Sequence, residues 1–377
     1  MKIVIAPDSF KESLTALEAA TAIEAGMKKI LPEAIFVKVP MADGGEGTVQ
    51  SLVDATHGRI VSKTVTGPLG DAVDAFFGLS GDEKTAIIEM AAASGLHLVP
   101  REKRNPLITT TRGTGELIVA ALDYGVEQII IGIGGSATND GGAGMARALG
   151  IRFLNADGKE IGEGGGSLSE LVSIDRTQAD SRLTSVKIEV ACDVDNPLTG
   201  TKGASRIFGP QKGATAEIIE ILDKNLHHYA EIIRKDLGKD IEHISGAGAA
   251  GGLGGGLLAF LSAELKRGVD IVLEATKLEQ QLLDADFVIT GEGKIDGQTI
   301  FGKTPIGVAK TAKRHNIPVI AIAGNVAKDS VIVHEHGIDV LFSVVPGAIS
   351  LEDALENAST YVRNTAANIA SLIKLAK

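Results

Sequence analysis

Short runs of apolar, mostly β-branched residues alternate with longer amphipathic segments at both ends of the chain. Apolar side chains recur at helical spacing between 14 and 31, whereas the run at 2–6 is short and continuous, as in a buried strand. Strands are expected at 2–6, 35–39, 287–290, 319–323 and 340–344. Helices are expected at 14–31, 48–55, 305–314, 331–336 and 351–375. Strands joined by helical connections are typical of a parallel sheet covered on both faces.

The middle of the chain has a different pattern. Three β-like runs at 59–66, 72–79 and 85–89 are separated by turn residues without an intervening helix, which predicts an antiparallel meander. Beyond the meander, strands are expected at 128–133 and 186–191, and helices at 115–124, 142–149 and 216–237.

The simplest organisation is an α/β fold with two domains. Residues 1–60 and 281–377 form a doubly wound parallel-sheet domain, and 61–280 form a mixed α/β domain inserted into it. We expect an active-site cleft between the two domains. A contiguous division near Gly150 is the alternative.

Charge and cysteine content narrow the class of protein. The chain has 37 Lys and Arg residues against 48 Asp and Glu residues, which gives a net charge of −11. Such a chain lacks the basic surface of a general nucleic-acid binder and is repelled by anionic lipid. The single cysteine, Cys192, excludes an intrachain disulfide, and no apolar run is long enough for a membrane span. We therefore expect a cytoplasmic protein without nucleic-acid or membrane partners.

Glycine is the compositional outlier, with 46 residues in 377. Many glycines cluster in segments that also contain polar or charged residues, namely 43–48, 134–142, 209–213, 246–256 and 291–297. Most of these segments follow a strand-like run or precede a helical one, where backbone N–H groups can bind phosphate. A single segment of this kind would be explained more simply as a tight turn. Their number predicts a phosphate-binding site.

Acidic residues stand at the predicted carboxyl ends of several strands, namely Asp8, Asp43, Glu46, Asp193 and Asp195. Ligands of open α/β sheets bind beyond these ends, and Mg²⁺ binds through one or two carboxylates together with phosphate oxygens. The alternative interpretation is structural. Ser9 or Ser13 would then cap the first helix, and Asn196-Pro197 would mark a turn.

Five motifs, taken in order, resemble the bacterial glycerate kinases of the first type. The motifs are APDSFK at 6–11, MADGGEGT at 41–48, GGSATNDGG at 134–142, CDVDNPL at 192–198 and TGEGKID at 290–296. The resemblance implies a flavodoxin-like domain with an inserted mixed α/β domain. It also implies transfer of the γ-phosphoryl group of ATP to D-glycerate, usually giving 2-phosphoglycerate. The 3-phosphate stays open as the alternative product.

Physical chemistry then assigns roles to individual residues, with ATP and Mg²⁺ as cofactors. The candidate catalytic residues are Asp193, which accepts the hydroxyl proton or binds Mg²⁺, then Asp8 and Lys11. Candidates for binding glycerate are Ser9, Asp43, Glu46, Arg101 and Arg112. Candidates for binding the nucleotide are Gly134, Gly135, Ser136, Asn139, Asp140, Lys212, Gly252, Gly254, Glu292 and Lys294. Candidate metal ligands are Asp193, Asp195 and Asp296.

Proteins of other classes also use glycine-rich loops. A nucleotide-binding regulatory protein without catalysis would need the loops but not the acids at the strand ends. A dehydrogenase or a glycerate-independent hydrolase are further alternatives, and assays with NADH or without glycerate distinguish them. The sequence leaves the oligomeric state open, and a homodimer is compatible with it.

Overall fold

Two compact units make up the computed structural model, which describes residues 1–376. One unit combines Met1–Gly58 with the chain from Arg267 onward, and the other is Arg59–Lys266. The segment 267–280 therefore belongs to the first unit, although the sequence analysis assigned it to the inserted domain. Its helix, Gly268–Ala275, approaches a later helix so closely that a Cβ at Gly307 would overlap Val269.

Strands and helices alternate along most of the chain. The strands are β1 (Lys2–Ile5), β2 (Ile35–Lys38), β3 (Arg59–Thr66), β4 (Ala72–Leu79), β5 (Thr85–Glu89), β6 (Gln128–Gly132), β7 (Arg152–Leu154), β8 (Ser173–Asp175), β9 (Lys187–Ala191), β10 (Glu264–Lys266), β11 (Phe287–Ile295), β12 (Val319–Val326) and β13 (Val340–Ser343). The α-helices are α1 (Ala16–Lys28), α2 (Thr48–Thr56), α3 (Ala91–Ser94), α4 (Arg112–Leu122), α5 (Ala143–Ala148), α6 (Ala204–Phe208), α7 (Ala216–Leu237), α8 (Ala249–Leu261), α9 (Gly268–Ala275), α10 (Leu278–Leu282), α11 (Thr304–Lys313), α12 (Leu351–Glu356) and α13 (Ala358–Leu375). Short 3₁₀ helices occur at Leu96–Leu98, Arg101–Lys103, Gly165–Glu170, Ser181–Thr184, Pro210–Lys212, Thr299–Phe301 and Ser330–His336.

A parallel five-stranded sheet in the order β13-β12-β11-β1-β2 forms the centre of the first unit. The register places Ile3 opposite Phe287 and Ile5 opposite Ile289, so the chain start pairs with a strand from the last third of the sequence. This strand order is flavodoxin-like. The predicted doubly wound sheet made from both chain ends is therefore confirmed.

Helices cover both faces of this sheet. On one face, Ile23 of α1 and Ile369 of α13 pack on Ile3 and Ile5 of β1. The two helices lie so close that a Cβ at Gly26 would overlap the carbonyl oxygen of a residue in α13, which explains the glycine. Helix α11 contacts β11 and β12.

The start of α1 differs from the alternative in which Ser9 or Ser13 caps it. Thr15 is the N-cap: its Oγ1 accepts the N–H of Glu18 at 3.2 Å, and Glu18 Oε2 accepts the N–H of Thr15 at 2.8 Å. This reciprocal pair satisfies two N–H groups at the helix start. Ser9 is therefore not used as a cap.

The second unit contains a mixed sheet in the order β10-β9-β6-β5-β4-β3. The pairs β3–β4 and β4–β5 are antiparallel, as the meander predicted, and β5, β6, β9 and β10 run parallel. A separate antiparallel ribbon is formed by β7 and β8. Within residues 1–376, no helix has the length and apolar character that crossing a bilayer requires.

Candidate active site

Three carboxylates from the first unit belong to one electrostatic cluster at the carboxyl ends of β1, β2 and β11. Asp8 follows β1, Asp43 follows β2, and Glu292 lies in the outer part of β11. The N–H of Asp8 donates to the carbonyl oxygen of Gly291 at 2.8 Å, which fixes Asp8 next to β11. Asp43 raises the pKa of Asp8, and Asp8 contributes to the raised pKa of Glu292. The predicted clustering of acids at this edge therefore holds for Asp8 and Asp43, and it includes Glu292.

Asp8 is a buried carboxylate with defined hydrogen-bond partners. Its Oδ1 accepts the N–H of Ser9 at 2.6 Å, and its Oδ2 accepts the hydroxyl of Thr304 at 2.6 Å. Burial raises the pKa of Asp8 to about 6, and Asp43 adds to the shift, while these hydrogen bonds oppose it. A carboxyl group in this range changes charge readily near neutral pH.

Glu292 is also buried. Its Oε1 accepts the hydroxyl of Thr299 at 2.8 Å, and Lys303 Nζ lies 3.4 Å from its Oε2. Burial is the main reason that the pKa of Glu292 rises to about 7, and Lys303 opposes the shift. The sequence predicts that Glu292 lies in a glycine-rich loop. The structure corrects this, because β11 continues through Gly291 and Glu292 to Ile295.

Thr299, Lys303 and Thr304 contact carboxylates of this cluster and are not among the residues predicted from the sequence. A signal for them was present: Gly297, Gly302, Lys303 and Thr304 have the spacing G-x-x-x-x-G-K-[ST] of a phosphate-binding loop. The pattern begins at the last glycine of the segment 291–297, so it extends beyond the five glycine-rich segments.

Other predicted residues of the first unit lie at its surface. Lys11 and Glu46 are exposed. Lys294 is exposed as well and forms an ion pair with Asp296 at 2.8 Å. This contact lowers the pKa of Asp296, which stays ionised as a candidate metal ligand requires.

Asp140 organises the glycine-rich loop that follows β6 in the second unit. The carboxylate is fully buried and accepts the N–H groups of Thr111, Gly142 and Gly144 and the hydroxyl of Thr111, at 2.8–3.1 Å. These four donors hold the turn that leads into α5. Asp140 is inaccessible to a ligand, and its observed role is to shape the predicted nucleotide loop.

Lys212 supports the same loop from within the unit. Its side chain is 1% exposed, and Nζ donates to Ser136 Oγ at 2.6 Å and to the carbonyl oxygen of Thr138 at 2.6 Å. Burial lowers the pKa of Lys212 to about 7, although Asp140 opposes the shift. In this conformation the ammonium faces the loop, and its contacts are with Ser136 and the loop backbone.

Gly134 and Gly135 form the exposed tip of the loop. Nothing lies within 4 Å of the position that a Cβ at Gly134 would take, whereas Gly135 has a φ of +73°, which favours glycine. The buried Asn139 donates from Nδ2 to Ser205 Oγ at 3.0 Å, and its Oδ1 has no hydrogen-bond partner within residues 1–376. The tip is therefore the part of this loop that a ligand reaches.

Gly252 and Gly254 have a different role from the predicted phosphate contact. Both are buried in α8, which contains a left-handed kink at residues 250–252. A Cβ at Gly251 would overlap the carbonyl oxygen of Thr138, and one at Gly252 would lie 2.9 Å from Gly141 Cα. Gly251, Gly252 and Gly256 thus allow α8 to pack on the backbone of the 134–142 loop, whereas Gly254 lies against the carbonyl oxygen of Gly246.

Asp193 lies beyond the carboxyl end of β9, at the same edge of the sheet as the 134–142 loop. The register of β6 and β9 places Gly132 opposite Ala191, so Gly134 and Asp193 each lie two residues beyond this pair. Asp193 and Asp195 are exposed, and Asp195 Oδ1 accepts the hydroxyl of Ser245 at 2.9 Å. The register therefore places Asp193 and the 134–142 loop at the same edge of this sheet.

The two arginines predicted to bind glycerate differ in their surroundings. Arg112 begins α4 and lies 3.3 Å from Glu116 and 3.4 Å from Glu163, which also contacts Arg147 at 3.0 Å. Arg101 is exposed in a 3₁₀ helix. Arg112 is therefore engaged by protein carboxylates, and Arg101 is the more accessible of the two.

A profile of the Glycerate kinase family matches residues 3–374. A Bacillus subtilis (strain 168) protein named "Glycerate kinase" is 67% identical over 377 residues, which covers 100% of this chain and 99% of the relative. An Escherichia coli (strain K12) protein named "Glycerate 2-kinase" is 58% identical over 375 residues, which covers 100% of this chain and 98% of the relative.

A solved structure agrees with these matches. The crystal structure of a proposed glycerate kinase 2 from Salmonella typhimurium LT2 superimposes with a TM-score of 0.93 at 60% identity. The match covers 100% of this chain and 99% of that one. Sequence and fold thus agree over the full length, and the chain belongs to the glycerate kinase family.

Proposed function

We propose that this protein transfers the γ-phosphoryl group of ATP to the 2-hydroxyl of D-glycerate, giving ADP and 2-phospho-D-glycerate. The observation that supports it most strongly is full-length identity of 58% to a protein named as a glycerate 2-kinase. In the reaction, the hydroxyl oxygen bonds to the γ-phosphorus and the bond to the β–γ bridging oxygen breaks. ADP leaves, and the hydroxyl proton passes to a carboxylate.

Asp193 is the proposed proton acceptor, with Asp8 as the second candidate. Asp193 is exposed at the strand edge from which the Gly134–Gly135 tip also projects. An accessible carboxylate there satisfies the requirement that a general base reach the hydroxyl. Gly134 and Gly135 are proposed to bind an anionic group of one substrate, because their exposed backbone admits close approach.

Mg²⁺ is proposed to accompany the nucleotide and to neutralise charge on the transferring phosphoryl group. Within residues 1–376, no group of three or more His, Cys, Asp and Glu side chains is arranged to hold a metal ion. Mg²⁺ needs only one or two carboxylates when phosphate oxygens and water complete its ligands. Asp8, whose carboxylate meets the Thr304 hydroxyl, fits that requirement in the first unit.

The test is ³¹P NMR of the product formed from D-glycerate and MgATP. A phosphomonoester coupled to the single hydrogen at C2 is expected. Coupling to the two hydrogens at C3 would identify the 3-phosphate and contradict the proposed position. ADP release that does not depend on glycerate, with inorganic phosphate as the product, would contradict the kinase assignment.

A further inference from the structure

The connection between β11 and α11 has both the spacing and the context of a phosphate-binding loop. Gly297, Gly302, Lys303 and Thr304 match G-x-x-x-x-G-K-[ST]. That pattern is informative only between a strand and a helix. Here β11 ends at Ile295 and α11 begins at Thr304, and β11 lies inside a parallel sheet.

The hydroxyl of Thr304 donates a hydrogen bond to a carboxylate that follows the neighbouring strand. Strand β1 pairs with β11, and Asp8 beyond β1 accepts the Thr304 hydroxyl at 2.6 Å. In nucleotide-binding loops of this spacing, the Ser or Thr hydroxyl and an Asp share the Mg²⁺ that accompanies the phosphates. The Thr304 hydroxyl and the Asp8 carboxylate lie close enough together for both to bind one such ion.

Two cationic side chains flank the second glycine of the pattern. Lys303 follows Gly302 directly, and the guanidinium of Arg267 lies where a Cβ at Gly302 would be. Gly302 has a φ of +104°, which favours glycine. The absence of a Cβ also leaves room for the guanidinium of Arg267. Arg267 is exposed, and no ion pair within residues 1–376 includes it. An accessible guanidinium without a carboxylate partner is well suited to an anion.

The charges around these residues favour a phosphate that brings a cation. The carboxylate cluster consists of Asp8, Asp43 and Glu292. The positive charges that oppose it are those of Lys303 and Arg267. A bare phosphate would be repelled by the carboxylates, whereas a phosphate with Mg²⁺ would be attracted.

We infer that Lys303 and Arg267 bind the β- and γ-phosphates of the nucleotide, while Thr304 and Asp8 bind the accompanying Mg²⁺. The inference rests on the proposed phosphoryl transfer and assigns the triphosphate to the first unit.

The loop itself differs from an open backbone cradle. Around the 3₁₀ turn at Thr299–Phe301, several N–H groups already donate within the loop, namely those of Gln298, Thr299, Phe301 and Lys303. The contacts assigned here are therefore made by side chains, which makes them accessible to substitution.

The first experiment measures MgATP binding by titration calorimetry in the absence of glycerate. Lys303→Ala and Arg267→Ala are compared with Lys310→Ala, which removes an exposed lysine from α11, the helix that Lys303 precedes. The dissociation constant is expected to rise roughly 10- to 100-fold in the first two variants, the loss expected for one charged hydrogen bond. Lys303→Arg, which keeps the charge, should recover part of the affinity, and the control should bind as the wild type does.

Three results would overturn the inference. The first is unchanged MgATP binding in both Lys303→Ala and Arg267→Ala. The second is weaker binding of 2-phosphoglycerate with unchanged binding of MgATP, which would assign the cations to the product. The third is equal affinity of wild-type protein for ATP with and without Mg²⁺.

The assignment of the metal ion to Thr304 and Asp8 is tested with Mn²⁺ as a spectroscopic probe in the presence of ADP. Electron paramagnetic resonance titration should show weaker Mn²⁺ binding in Thr304→Val and Asp8→Asn than in Thr304→Ser, which keeps the hydroxyl. Equal Mn²⁺ affinity in all three folded variants would overturn the metal assignment. Wild-type protein that binds MgATP through these residues yet forms no phosphoglycerate would contradict the proposed function and leave this inference intact.

Discussion

Lys212 donates a hydrogen bond to Ser136, with 2.6 Å between Nζ and Oγ, in a region of the second unit closed to solvent. The same ammonium donates to the carbonyl oxygen of Thr138. Lys212 therefore supports the loop from inside the unit. A substitution of Lys212 tests the geometry of the loop and not the direct neutralisation of a ligand's charge.

Lys212→Met is expected to lower kcat/KM about 10-fold or more, because the loop loses two buried hydrogen bonds of roughly 1 kcal/mol each. The loss of stability should be small, since the methionine also removes the desolvation of a buried ammonium. Steady-state kinetics and thermal unfolding measure the two effects. Lys202→Met, at an exposed position of the same unit, is the control. Wild-type kinetics in a folded Lys212→Met variant would contradict the supporting role.

Gly134→Ala should leave the fold intact and weaken substrate binding. An added methyl meets no protein atom within 4 Å, so it projects into the space that a ligand would use. We expect the KM of the substrate whose anionic group the tip binds to rise about 10-fold, since one hydrogen bond to a charged group is worth roughly 1.5–3 kcal/mol. Gly347→Ala, another position with nothing within 4 Å, is the matched control. An unchanged KM for both substrates would remove the tip from the site.

Glu292 should make the first unit less stable as the pH rises. Its pKa is about 7 in the folded protein, against an ordinary value of 4.5, so the folded state binds the proton more tightly than the unfolded chain. The stabilisation is complete below about pH 4.5 and is lost as the pH rises through about 7. Glu292→Gln should lose this dependence, which is at most about 3 kcal/mol.

Urea unfolding at about pH 5 and about pH 8 checks the Glu292 prediction. The difference in unfolding free energy between the two pH values should be smaller in Glu292→Gln than in the wild type. Equal differences in the two proteins would show that Glu292 titrates normally.

Asp193→Asn should lower kcat by roughly 10²- to 10⁴-fold, the usual contribution of a general base. The KM for ATP should change little, because the substitution preserves shape and removes only the charge. Initial rates with both substrates varied make this measurement. Asp157→Asn, on an exposed turn of the same unit, is the control. A folded Asp193→Asn variant with wild-type kcat would show that Asp193 is not the proton acceptor and that another carboxylate has this role.

Hydrophobic periodicity was sufficient to predict most of the secondary structure, because buried positions recur with the period of each element. Helix α7 has the predicted bounds, Ala216–Leu237, and its apolar stripe includes the buried Leu222, Leu226 and Ile233. The long helix expected at 351–375 is instead two helices that meet at Asn357. No periodic signal marks that break, since the apolar spacing continues across it.

Contacts between distant segments account for what the sequence did not predict about the candidate site. Gly251 and Gly252 look like ligand-facing glycines in the sequence, yet their neighbours are Thr138 and Gly141, more than one hundred positions earlier. A glycine required by another backbone and a glycine required by a ligand are identical in sequence. Arg112 is similar, because its partner Glu163 is remote in the chain.

The pairing of β1 with β11 has a consequence for synthesis on the ribosome. Strand β1 lies between β2 and β11, so β1 cannot complete its pairing until a strand that begins at Phe287 has been made. Arg59–Lys266 is continuous and has been synthesised before that strand is translated. Because domains fold as units during translation, the interrupting segment is expected to fold first, while β1 remains without one of its two partners.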